Sequence, residues 1–131
     1  MEQKTSPVEL PWRSWRTYRD LEPTWFYTSA GLFGLMAFCL LAGAVDDRLF
    51  YGVSVWSKPF KFAMSLAVYF ATLLVFSRYL PIGYLGTKWG RILVMSLVWV
   101  AGAEMAYITV QSALGEASHF NSTSAFHGLM Y

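Results

Sequence analysis

Three stretches of the chain are continuously apolar. Residues 26–45 contain no charge at all. Residues 60–80 carry charges only near their two ends, at Lys61 and Arg78, and residues 92–113 are interrupted only by Glu104. Each run matches the roughly 20 apolar residues that a helix needs to cross a bilayer core. Lipid offers the backbone no hydrogen-bond partners, so an open chain must cross it as helix. A barrel would instead alternate lipid-facing and lumen-facing residues, and these runs do not alternate. The expected fold is all-α: an integral membrane bundle of three transmembrane helices. Ala42, Gly43 and Ala44 form a small-residue triplet of the kind that precedes signal cleavage. The first apolar run, however, is longer than the 7–15 residues of a signal core and follows a long polar arm, which favours an uncleaved span.

The pattern changes before the first span. Trp12, Trp15, Tyr18 and Leu21 recur every three residues, and Arg13, Arg16, Arg19 and Asp20 fill most of the other half of a helical wheel. Pro11 suits a first helical turn, and Pro23 should end the helix. Residues 1–24 therefore read as an amphipathic arm in the headgroup layer, with rings inward and Arg on phosphates. In the first connection, Ser57 and Pro59 resemble a helix start, and the apolar stretch 49–56 is expected at the interface. The second connection holds Pro81, Gly83, Gly86 and Gly90. So tight a link predicts antiparallel neighbours on its two sides. Small residues four apart, Ala30 with Gly34 and Gly102 with Ala106, would permit close helix contact.

Composition agrees with this pattern and adds an orientation. The 131 residues are 56% hydrophobic and only 14% charged, with a net charge of +2 and one cysteine. These values exclude a disordered chain and a disulfide framework, and give no basis for nucleic-acid binding. Lys4, Arg13, Arg16, Arg19, Arg78, Lys88 and Arg91 lie on one side of the three spans; Arg48, Lys58 and Lys61 lie on the other. By the positive-inside rule the N-terminus is expected in the cytoplasm. Residues 46–59 and the polar tail 115–131 then lie outside.

Few polar residues remain to carry chemistry. A charge as deep as Glu104 costs about 3 kcal/mol on insertion scales. The eight Leu, Ile and Val residues of its span return roughly 2.5–5 kcal/mol. Glu104 is therefore expected to face other helices, with Gln111 on the same face two turns away. Lys61, Ser65, Tyr69 and Thr72 form one stripe in the second span. If the two spans end level, Tyr69 meets Glu104 in a hydrogen bond and Lys61 approaches Gln111. Such a set serves either as a clamp that fixes helix register or as a relay or polar ligand pocket. Both histidines, His119 and His127, fall in the tail. None falls within a span, where haem in a helical bundle would need it. No cofactor or metal is expected.

Two longer strings are familiar. Asp46–Asp47–Arg48 is followed by Trp56–Ser57–Lys58–Pro59–Phe60–Lys61–Phe62, then Ser65 and Tyr69. Later come Glu104–Met105, Ile108, Gln111, Gly115 and Ser118–His119–Phe120–Asn121. From about Asp46 onward the chain resembles a family of uncharacterised bacterial multi-pass membrane proteins with DDR…W-x-KP-x-KF…S-x-x-x-Y and EM…I…Q…G…SHFN motifs. The resemblance implies that Lys58, Pro59, Lys61, Glu104, Gln111, His119 and Asn121 are motif positions. It implies no activity. Members continue SHFN with Thr-Pro and an Asp, where this chain has Ser124, Ala125 and His127. They also continue into further helices, so this chain reads as an N-terminal portion or a shortened member.

The sequence thus predicts an inner-membrane protein whose partners are the bilayer and either a second copy or other membrane subunits. Its polar pocket is expected at the outer mouth of spans two and three, formed by Lys58, Lys61, Tyr69, Glu104, Gln111, His119 and Asn121. A non-catalytic transport, binding or assembly module fits such a pocket. The alternatives are a membrane enzyme using Glu104 or His119 as general acid or base and, more remotely, a haem or quinone electron carrier.

Overall fold

The computed structural model describes residues 15–114. A short helix α1 (Trp15–Leu21) leads into α2 (Pro23–Val45). A hairpin of β1 (Leu49–Phe50) and β2 (Val53–Ser54) joins α2 to α3 (Ser57–Ser77), and a 3-10 turn at Tyr84–Gly86 precedes α4 (Lys88–Leu114). The three long helices are each long and apolar enough to cross a membrane. At 1.5 Å per residue they extend about 35, 32 and 41 Å. The protein is an all-helical membrane bundle, with its ends here named the hairpin end and the connector end.

Helix boundaries follow local chemistry. The arm helix stops before Pro23, as its ring requires, and Pro23 becomes the first residue of α2. Glu22 is the N-cap: its carboxylate accepts from the Thr24 backbone N–H at 3.1 Å. Helix α3 begins at Ser57 itself, with Trp56 as cap and Pro59 inside the first turn. The first connection is more regular than its apolar sequence announced. Leu49 pairs with Ser54 and Phe50 with Val53, while Tyr51 and Gly52 both take positive φ, 51° and 80°. That is the backbone of a type I′ turn, whose twist suits a two-residue hairpin.

Packing is closest between α2 and α3. Helix α3 turns Pro59, Ala63, Ala67, Phe70, Leu74 and Ser77 inward, a 4, 4, 3, 4, 3 spacing that traces one helical face. The two alanines bring α2 near enough for Ser29 Oγ to donate to the Ala67 carbonyl at 2.9 Å, in a buried contact. Helix α4 adds Val94, Ala101, Met105 and Ile108 to the buried set. The small residues singled out from sequence are not the ones that close these contacts. Added Cβ atoms at Gly34 and Gly102 would meet nothing within 4 Å, and Ala30 and Ala106 are exposed.

The glycine that matters for packing is Gly90. A Cβ there would stand 2.2 Å from the Tyr84 carbonyl oxygen and 2.7 Å from Leu85 Cα. The connector folds back onto the first turn of α4, and only a residue without a side chain admits it. Gly90→Ala should lower the thermal unfolding midpoint of the detergent-purified protein, at a cost of about 1–3 kcal/mol typical of overpacking. Gly102→Ala, made into open space, should leave the midpoint unchanged or raise it slightly.

Candidate functional site

Polar side chains gather at both ends of the bundle and along one outer face. At the hairpin end, Asp46 caps α2, and its backbone N–H donates to the Ala42 carbonyl. Its carboxylate accepts from Arg48 Nη2 at 2.6 Å, from Arg48 Nε at 2.9 and 3.1 Å, and from the Trp56 indole N–H at 2.8 Å. Arg48 Nη1 reaches across to donate to the Ala113 carbonyl near the end of α4, at 2.9 Å. One carboxylate and one guanidinium thus join the end of α2, the start of α3 and the end of α4. The donors around it, Arg48 first and Trp56 next, hold the Asp46 carboxyl well below the usual carboxylate range. The same pairing pushes Arg48 upward.

The connector end has its own tie, which sequence reading missed. Glu22 is only 3% exposed. Its two oxygens accept from Arg91 Nη1 at 3.2 and 3.1 Å, and Arg91 Nη2 also lies 3.4 Å from Thr24 Oγ1. A carboxylate at a helix N-terminus is favoured by the helix dipole, and here it also receives a guanidinium from α4. In the sequence Arg91 reads only as a positive charge. The available signal was Glu22 beside Pro23, an acid placed where a helix must start.

The predicted pocket residues divide among different places. Lys58 and Glu104 belong together: the Glu104 carboxylate acts electrostatically on Lys58 across α3 and α4. Gln111 is buried on α4 toward the hairpin end. Lys61 lines a cavity of about 450 Å³ between α2, the hairpin and α3, together with Cys39, Gly43, Trp56, Ser57 and Phe60. Phe38 meets Trp56 edge to face there, with centroids 5.8 Å apart. His119 and Asn121 lie outside the described residues. Among the described residues, no three His, Cys, Asp or Glu side chains form a metal-binding group.

Tyr69 and Glu104 depart from expectation. No hydrogen bond joins them within the described residues; Tyr69 is 45% exposed and Glu104 is exposed. The buried face of α4 runs through Val94, Ala101, Met105, Ile108, Gln111 and Ser112. Glu104 lies at the edge of that face, within about 20° of Gln111 on a 3.6-residue wheel, yet is exposed where Gln111 is buried. Helix α3 likewise turns its alanine stripe inward, which carries Lys61, Ser65, Tyr69 and Thr72 to the exposed surface. The polar stripe was read correctly as a stripe but assigned to the wrong side of the bundle.

Compared with protein-family models, curated proteins and solved structures, the chain matches none.

The two end ties make separate predictions. Asp46 has a depressed pKa in the fold, so its contribution to stability is present above the unfolded value near 4 and is lost as pH falls through the folded value. The difference in unfolding midpoint between the native protein and Asp46→Asn should be constant from pH 8 to about 5 and narrow below about 4. For the other tie, Arg91→Ala strands a buried carboxylate with a single backbone donor and should cost about 1–3 kcal/mol. A double-mutant cycle with Glu22→Gln should show coupling, because the two residues share the contact.

Proposed function

We propose that the chain is a non-catalytic module of a larger membrane assembly, and that its outward α3–α4 face, centred on Glu104, is where it joins. In the proposed orientation the N-terminus and the connector end lie in the cytoplasm and the hairpin end lies outside, in a bacterial inner membrane. The charge asymmetry of the sequence supports that orientation. The resemblance to bacterial multi-pass proteins belongs to the same proposal: its DDR and W-x-KP strings are the ones that meet at Asp46, Arg48 and Trp56.

One observation carries the reading. A carboxylate well inside a span, exposed on the three-helix unit, is expensive against hydrocarbon. Polar groups in a membrane face protein, water or each other. Glu104 interacts electrostatically with Lys58, and Tyr69 and Thr72 are also exposed. A face of this chemistry in lipid is best satisfied by another membrane segment.

The test is the size of the native particle. Extracted from its own membranes in mild detergent, the protein should migrate well above the 14.9 kDa of one chain. Glu104→Leu should shift it toward the monomer while leaving the unfolding midpoint of the purified unit nearly unchanged. A native monomer, or a Glu104→Leu particle of undiminished size, would overturn the proposal.

A further inference from the structure

We propose that the cavity between α2, the hairpin and α3 binds one anionic glycerophospholipid, its phosphate on Lys61 and an acyl chain against Gly43. None of the cavity residues takes part in the proposed assembly at Glu104.

The space arises from what the sequence places on neighbouring turns. Helix α2 offers Cys39 and Gly43, which stand four residues apart and so share one face. Both are small, and neither fills the gap. Helix α3 offers Ser57 and Lys61, also four apart, and the hairpin contributes Ser54 and Trp56. The Trp56 wall is fixed in advance. Its indole N–H donates to Asp46 at 2.8 Å, and its ring takes the edge-to-face contact with Phe38. The resulting volume of about 450 Å³ falls within the roughly 300–1,000 Å³ of small-molecule sites.

The lining sorts by depth as a phospholipid does. Lys61 is exposed and stands about 6 Å inside the start of α3 at 1.5 Å per residue. Among the described residues, no ion pair includes it. A lysine at that depth lifts its ammonium toward the phosphates and needs an anion there. The Ser57 hydroxyl lies one turn away. Ser54 Oγ accepts from the Trp56 backbone N–H at 3.3 Å and keeps its own proton to donate. The mouth therefore gathers an ammonium and two hydroxyls, a set suited to a phosphate. Cys39 lies deeper, about 9 Å in from Val45, and the wall beside it is apolar, with Leu40 and Phe60. Snorkelling alone would bring Lys61 to the headgroups, but it would not require a slot with a fixed aromatic wall beside it.

The charge balance selects the headgroup. Among the described residues, no Asp or Glu lines the cavity, and Asp46, which receives the Trp56 indole, is held by Arg48. The ammonium of a zwitterionic lipid finds no counter-charge there. A phosphatidylglycerol, with one net negative charge, leaves nothing unpaired.

Native mass spectrometry of the delipidated protein in detergent, titrated with phosphatidylglycerol or phosphatidylethanolamine, tests the site. One phosphatidylglycerol should bind per chain, more tightly than phosphatidylethanolamine. Lys61→Gln should weaken it about 10- to 100-fold, the worth of a hydrogen bond to a charged group. Lys88→Gln, which removes the same charge at the connector end, should leave it unchanged. Gly43→Leu should weaken both lipids by filling the slot. A Cβ at Gly43 meets Ser54 Oγ at 3.4 Å and Trp56 Cβ at 3.5 Å, so the backbone admits a side chain. Should Gly43→Leu lower the unfolding midpoint, Leu40→Trp, at an exposed position on the same slot, carries that arm. Glycerol 3-phosphate, a phosphate without chains, should not displace the lipid. Undiminished binding by Lys61→Gln, or an equal loss in Lys88→Gln, would overturn the phosphate contact. Undiminished binding by a folded slot-filling variant, or displacement by glycerol 3-phosphate, would overturn the acyl slot.

Discussion

Water drives helices together in a soluble bundle, but lipid tails are as apolar as leucine and give helices no such reason to associate. Everything that holds α2, α3 and α4 in register must therefore be close packing or polar contact. The protein uses both, and divides them by depth. At mid-membrane, Ala63, Ala67 and Ser29 let two backbones approach. At the ends, two carboxylate–guanidinium ties bridge different helices: Glu22 to Arg91 at one end, and Asp46 to Arg48, with its reach to Ala113, at the other. The ties stand at the two ends of the bundle, where helix termini are short of hydrogen-bond partners. The long middle of the bundle needs no charge of its own, which leaves Glu104 conspicuous.

The spans were legible because hydrophobicity is a one-dimensional signal. Sequence runs 26–45, 60–80 and 92–113 fall almost wholly within α2, α3 and α4. The shifts at their edges have physical causes. Glu22 and Pro23 start a helix ahead of the apolar run. Lys88 to Arg91 continue α4 outward through polar positions that a hydropathy count discards. The connector was recognised from its glycines. That Gly90 belongs to the helix, beneath the connector, depends on a three-dimensional contact with Tyr84.

Facing was harder to read than spanning. In water, a polar stripe marks the outside of a helix; in lipid, the same stripe argues for the inside, and the sequence reading followed that logic to pair Tyr69 with Glu104. The alanines of α3 decided otherwise. Small residues at 63 and 67 allow a helix approach that the bulkier stripe cannot match, so α3 offers them to α2 and turns its polar positions away. Among the described residues, those positions stand exposed on the three-helix unit.

The arrangement of the hairpin-end clamp also bears on how the chain is made. Its first contacts are local: Arg48 lies two residues from Asp46, and Trp56 ten. They can close as soon as α2 and the head of α3 have left the ribosome. The contact to Ala113 spans 65 residues and cannot form until α4 has been threaded. One arginine therefore records two stages of biogenesis, first fixing the turn of a helical hairpin and then latching the third helix when synthesis has reached its far end.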